Sequence, residues 1–177
     1  MKVLIFGIQG SGKGTIGNYI AEKLEVPFIA MGDILRELRE EDSEMGRTVK
    51  DYIDQGRFLP DEPTMKIINT RLDAKDCGKG FVLDGVPRNL EQNKLFTHQP
   101  DLLVLVELEE QEAKRRLLTR ARHDDTEEKI QRRQDWHKEN TVPLIEHYKK
   151  QGIKTIEIDN SGSVEEVRKN IDEQFKN

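Results

Sequence analysis

Gly7-Ile8-Gln9-Gly10-Ser11-Gly12-Lys13-Gly14-Thr15 directly follows the apolar run Val3-Leu4-Ile5-Phe6 and directly precedes a helical stretch, Ile16 to Leu24. A strand, a glycine-rich turn ending in Lys, and a helix form the layout of a phosphate-binding loop. Glycines let backbone N–H groups turn inward without a Cβ in the way. The helix that follows aims its positive N-terminal end at the same place. Lys13 adds a mobile positive charge. The spacing Gly7-x4-Gly12-Lys13 fits the general pattern, but Gly14 comes next and the hydroxyl arrives one position late, at Thr15. The ligand implied is a nucleoside triphosphate.

Outward from this loop, short apolar runs alternate with helical stretches. The runs are Val3–Phe6, Phe28–Ala30, Phe81–Leu83, Leu102–Leu108 and Ile153–Ile158. Residues 102–106 are continuously apolar, as a strand buried on both faces requires. Alternation of this kind predicts an α/β fold, a parallel sheet flanked by helices. Ser43 is placed to cap a helix running to Gln55, with Gly56 after it. Asp61 with Pro63 starts another, toward Leu72. Thr126 starts a long helix through Trp136 to about Lys150, which Pro143 should kink or split. Ser163 starts the last, ending near Phe175. Residues 31–75 read as a helical insertion between two strands, a candidate lobe.

Composition bounds the function. The 177 residues suffice for one domain with a substantial core. A formal net charge of -5 argues against a general nucleic-acid binder. The single cysteine, Cys77, excludes an internal disulfide and a thiol-built zinc cluster, and reads as a partly buried bystander. No apolar run approaches the roughly 18 residues of a membrane span. Met1-Lys2 leads straight into a strand with no signal-peptide pattern, so a cytoplasmic protein is expected. The four histidines (His98, His123, His137 and His147) form no metal-ligand pattern and are expected at the surface.

Three further motifs stand out. Met31-Gly32-Asp33-Ile34-Leu35-Arg36 follows the second apolar run. Gly80-Phe81-Val82-Leu83-Asp84-Gly85-Val86-Pro87-Arg88 is followed by Gln92. Arg120-Ala121-Arg122-His123-Asp124-Asp125 is followed by Arg132-Arg133. Asp84 falls at the C-terminal end of a strand, the edge where open parallel sheets bind ligands. A carboxylate there suits the water shell of Mg²⁺. Arg88 comes four residues later, and a planar guanidinium suits bidentate phosphate binding. Arg36 follows its strand in the same way. Three loops at one sheet edge thus each carry a Lys or Arg near a Gly.

Together the motifs resemble the adenylate kinase family of nucleoside monophosphate kinases, over nearly the whole chain. The anchors are Gly-Ser-Gly-Lys-Gly-Thr at 10–15, Gly-Asp-Ile-Leu-Arg at 32–36, Asp-Gly-Val-Pro-Arg at 84–88 and Arg-His-Asp-Asp at 122–125. The resemblance implies a five-stranded parallel core (residues 1–30, 76–119 and 134–177), an NMP-binding lobe (31–75) and a lid (120–133). It implies that Gly10, Ser11, Gly12, Lys13, Gly14, Thr15 and Arg120 meet ATP. Met31, Arg36, Ile53, Arg57, Leu59, Gly85, Arg88 and Gln92 would meet AMP. Lys13, Arg88, Arg122 and Arg133 would surround the transferring phosphoryl group, while Asp33 and Asp84 order water around Mg²⁺. Phosphoryl transfer needs positioning and charge neutralisation, and an ionised phosphate needs no general base. The implied reaction is MgATP plus AMP giving two ADP, without structural zinc, nucleic acid or membrane, in a monomer or small homo-oligomer.

The chain departs from the family pattern in places. Gln9 stands where Pro is usual, and Met31 where a small or hydroxylic residue is usual. Only Ala121 separates Arg120 from Arg122, which leaves almost no lid. Gln92 lies where adenylate kinases read the adenine edge, whereas UMP/CMP kinases usually carry Asn. The other readings are a UMP/CMP or related monophosphate kinase, and a P-loop ATPase or assembly factor without transferase activity.

Overall fold

The computed structural model describes residues 1–55, 57–120 and 126–176, with Arg120 described in its backbone only. Five parallel strands form one sheet in the order β2-β3-β1-β4-β5. They are β1 (Lys2–Phe6), β2 (Phe28–Ala30), β3 (Phe81–Asp84), β4 (Leu102–Glu107) and β5 (Lys154–Asp159). Each of the five expected strands is present within a residue or two of its expected ends. The chain moves from β1 to one side of the sheet and later returns to the other. This reversal puts the loop after β1 at the switch point of the sheet, where such folds bind ligands.

Alternation along the strands divides the core in two. Leu4 and Phe6 of β1 and Leu83 of β3 face one cluster. It also holds Met65, Ile68 and Leu72 of α4 (Asp61–Leu72) and Leu144, Ile145 and Tyr148 of α8 (Val142–Lys150). Val3, Ile5, Val82 and Val104 face the other, against Ile16, Ile20 and Ala21 of α1 (Lys13–Leu24) and Val167 and Ile171 of α9 (Val164–Gln174). Strands buried on both sides explain the continuous apolar run of β4.

Helix punctuation follows local chemistry. Ser43 caps α3 (Glu44–Asp54) by accepting from the Gly46 N–H. Ser163 caps α9 in a reciprocal box with Glu166. Thr126 caps α7 (Glu127–Trp136). The long helix expected through Lys150 is split: a π turn over His137–Thr141 separates α7 from α8. Pro143 lacks an N–H and its ring clashes with the carbonyl four residues back, so a widened turn just before it relieves both problems.

The segment 31–75 is not uniform. It carries α2 (Met31–Arg39), α3 and α4, but α4 is packed into the sheet cluster through Met65, Ile68 and Leu72. Cys77 is buried and unbridged. It lies beside Arg71, whose guanidinium is 3.2 Å from Sγ. No helix among the described residues is long and apolar enough to cross a membrane.

Candidate active site

A cleft of about 970 Å³ opens at the C-terminal edge of the sheet. One flank is the loop after β1. Gly12 is the N-cap of α1 with φ +94°, a left-handed conformation that glycine adopts without strain. Gly10 also has positive φ, and a Cβ there would meet the Ala113 carbonyl of α6 (Glu110–Arg120) at 2.5 Å. Both positions therefore require glycine. The Lys13 ammonium curls over the loop and donates to the Gly7 and Ile8 carbonyls at 2.8 and 2.9 Å. Asn160, in the turn after β5, donates to the Ser11 carbonyl at 2.7 Å and pins the loop to the sheet edge. Thr15 is exposed and Ser11 is fully buried.

The centre of the cleft gathers charge. Asp84, paired in register with Ile5 at the end of β3, lines it with Lys13, Arg88, Arg133 and His137. Asp84 Oδ1 is shut off from solvent and has no hydrogen-bond partner among the described residues. Burial raises the Asp84 pKa, against the opposing pull of Lys13 and Arg88. Arg88 is lowered to about 10, by burial first and then by repulsion from Arg133, while Asp84 opposes both. Its guanidinium lies over the Phe58 ring at 4.6 Å, and Phe58 packs on Trp136 at 5.0 Å. Arg88 Nε donates to the Gly85 carbonyl. The Arg88 carbonyl accepts from Thr141 at 2.9 Å.

The far flank is more apolar. Met31, Ile53, Leu59, Gly85 and Gln92 all line it, with Arg36 and Arg57. Met31 is 1% exposed and belongs to the sheet cluster, so its side chain is mostly core. Arg36 is exposed and paired with Asp33. Gln92 is only 4% exposed and hydrogen-bonded at both ends of its carboxamide. Oε1 accepts from the Arg88 N–H and Nε2 donates to Asp61 Oδ1, each at 2.8 Å.

Thus Lys13, Asp33, Asp84, Arg36, Arg57, Arg88, Arg133, Met31, Ile53, Leu59, Gly85 and Gln92 share one cleft with Gly10, Gly12, Gly14 and Thr15. Ser11 is fully buried and does not line the cleft. Arg122 and His123 lie outside the described residues, as does the Arg120 side chain. No group of three or more metal-ligating side chains occurs among the described residues. A divalent ion here would depend on ligands from the nucleotide, with Asp84 Oδ1 available to its water shell.

One expectation needs correction. The histidines are not all surface groups. His98 is largely covered, with its ring edge-on to Phe81. His137 lines the cleft, and burial with the nearby Lys13 charge lowers it to about 4. Arg116 is a further cleft residue that the motifs did not single out, because it stands in the basic run Lys114-Arg115-Arg116. Arg116 lines the cleft beside Leu117, held by Glu112 at 2.8 Å and the Asn160 carbonyl at 3.0 Å. Its spacing of four from Glu112 was the available signal.

Fold and cleft together define a phosphotransferase of the P-loop class. The family model described as adenylate kinase matches residues 5–153. An adenylate kinase of Nocardioides sp. (strain JS614) is 41% identical, over 97% of this chain and 95% of that protein. One from Leptospira biflexa is 40% identical, over 97% of this chain and 98% of its own. One from Corynebacterium glutamicum is 36% identical, over 94% of each. The chain belongs to the adenylate kinase family and is a nucleoside monophosphate kinase.

Proposed function

We propose that the cleft catalyses reversible transfer from MgATP to AMP, giving two ADP. The observation that carries this reading is the cationic centre between two unlike flanks. Lys13, Arg88 and Arg133 line the cleft between a glycine loop on one side and an apolar pocket ending in Gln92 on the other.

The amides of the loop and Lys13 cradle the ATP phosphates, with Arg120 at the end of α6. Arg36 and Arg88 hold the acceptor phosphate. One of its ionised oxygens attacks the γ-phosphorus in line, the bond to the β,γ-bridging oxygen breaks, and ADP leaves. No proton has to be removed from the nucleophile, so no general base is needed. Arg122 and Arg133 spread over the equatorial oxygens as charge redistributes. Asp84 and Asp33 would hold Mg²⁺ through its water shell, and the ion would supply neutralisation of the charge on the phosphates. Stacking on Phe58 covers one face of Arg88 and turns its edge toward the phosphates. Ile53, Arg57, Leu59 and Met31 line the acceptor's base and sugar, and Gln92 faces the base edge.

Within the 31–75 lobe, α4 and the start of α2 pack on the sheet, whereas α3 contributes no residue to that cluster. The lid is short, because α6 ends at Arg120 and α7 begins at Glu127. ADP formation from MgATP with AMP, UMP, CMP, GMP or no acceptor tests the assignment. Fast turnover with AMP alone supports it. A pyrimidine preference would contradict the reading of Gln92, and ADP release indifferent to acceptor would contradict transfer.

A further inference from the structure

We propose that Asp61 sets which purine edge the acceptor pocket accepts, by fixing the orientation of the Gln92 carboxamide. This rests on the reading of Gln92 as the residue that faces the acceptor base. Asp61 is the first residue of α4, which is anchored in the core by Met65, Ile68 and Leu72. Its carboxylate accepts from Gln92 Nε2 at 2.8 Å and lies 3.3 and 3.4 Å from Asn89 Nδ2. Asn89 in turn caps α5 (Leu90–Leu95), accepting from the Gln92 N–H at 2.6 Å. The opposite end of the carboxamide, Oε1, accepts from the Arg88 N–H.

Both partners have one possible polarity. A backbone N–H only donates, and a carboxylate only accepts. The carboxamide can therefore sit one way round, oxygen toward Arg88 and nitrogen toward Asp61. A carboxamide has two N–H hydrogens and two oxygen lone pairs. One of each is used here, which leaves one N–H and one lone pair. Adenine needs that combination: its N6 amino group donates to oxygen and its N1 accepts from nitrogen. Hypoxanthine offers the reverse, a carbonyl at C6 and an N1–H. To read it, the carboxamide must turn over. Turned over, its nitrogen faces the Arg88 N–H and its oxygen faces the Asp61 carboxylate. Two matched hydrogen bonds become two like-against-like contacts in a buried place, each worth on the order of tenfold. Asp61 acts through Gln92 and is a positioning residue.

The test compares kcat/KM for AMP and IMP, whose bases differ at this edge, in the natural protein, Asp61→Asn and Gln92→Leu. Asn keeps the size of Asp61 but presents either an acceptor or a donor, so it removes the mismatch at Asp61 in the turned-over carboxamide and leaves only the one at the Arg88 N–H. The expected result is that Asp61→Asn narrows the AMP-over-IMP ratio by roughly tenfold or more, chiefly through a lower KM for IMP. Gln92→Leu should narrow it as well. A ratio narrowed by Gln92→Leu but unchanged by Asp61→Asn overturns the proposal and leaves the reading of Gln92 standing. Equal losses with AMP and IMP in Asp61→Asn also overturn it, because they mark a residue that holds the fold alone. A ratio unchanged in both variants refutes the reading of Gln92 on which the proposal rests.

Discussion

The Arg88 guanidinium lies 4.6 Å over the ring of Phe58. The two residues come from different segments: Phe58 follows α3, and Arg88 follows β3. The stack shields one face of a charge whose pKa burial already lowers to about 10. It therefore holds a poorly solvated cation in place before any phosphate arrives. Phe58→Ala should raise the KM for AMP by roughly fivefold or more, since desolvated cation–π contacts reach about 2 kcal/mol. Initial-rate kinetics across AMP concentration read this directly. Equal KM values would show that the stack plays no part in acceptor binding.

Arg88→Lys keeps the charge but loses the planar fork that two phosphate oxygens can share. Turnover with AMP should fall by about a hundredfold or more, while a thermal melt stays close to that of the natural protein. Retention of a tenth of the activity would contradict the role given to Arg88.

His137 is held to about 4, mainly by burial and further by Lys13, with Glu110 opposing. A histidine in the unfolded chain titrates near 6.5. Between those values the unfolded chain binds a proton that the folded chain refuses, so stability rises with pH through the window from about 4 to 6.5. Above it, the contribution is fully present. The loss across the window is on the order of 3 kcal/mol. Urea midpoints at several pH values should fall as pH drops toward 4, and His137→Gln should flatten that fall. An identical slope in the variant would rule His137 out as its source.

The short connection between α6 and α7 leaves little chain to cover the reacting phosphate. A lid excludes water during transfer. MgATP without acceptor should therefore be hydrolysed slowly but measurably above the enzyme-free rate. Undetectable phosphate release in a sensitive assay would show that water is excluded by other means.

Arg116 lines the cleft and is tied to the glycine loop through Asn160, on the side proposed for ATP. Arg116→Ala should raise the KM for ATP several-fold more than that for AMP. Equal effects on the two would place Arg116 outside the donor site.

Much of this fold is legible along the chain. The strand, glycine turn and helix at residues 3–24 are local, and so are the caps at Ser43, Thr126 and Ser163. Hydrogen bonds within a few residues decide such features, so spacing reveals them. The fine structure of the site is of another kind. Gln92 meets Asp61 across 31 residues of chain, and Thr141 meets the Arg88 carbonyl across 53. Those contacts exist only once α4 and α8 have packed on the sheet. His137 turns toward the cleft within a π turn, which a 3.6-residue period does not anticipate. Arg116 was hidden by its neighbours Lys114 and Arg115, because a basic run does not say which of its members faces inward.

The central claim is that the cleft passes a phosphoryl group between two nucleotides. The most direct measurement follows the label in a single turnover of ATP carrying a radioactive γ-phosphate, mixed with Mg²⁺, enzyme and excess AMP. The account requires nearly all of the label to appear as the β-phosphate of ADP formed from AMP. Label released mainly as inorganic phosphate, at a rate that AMP does not change, would contradict it.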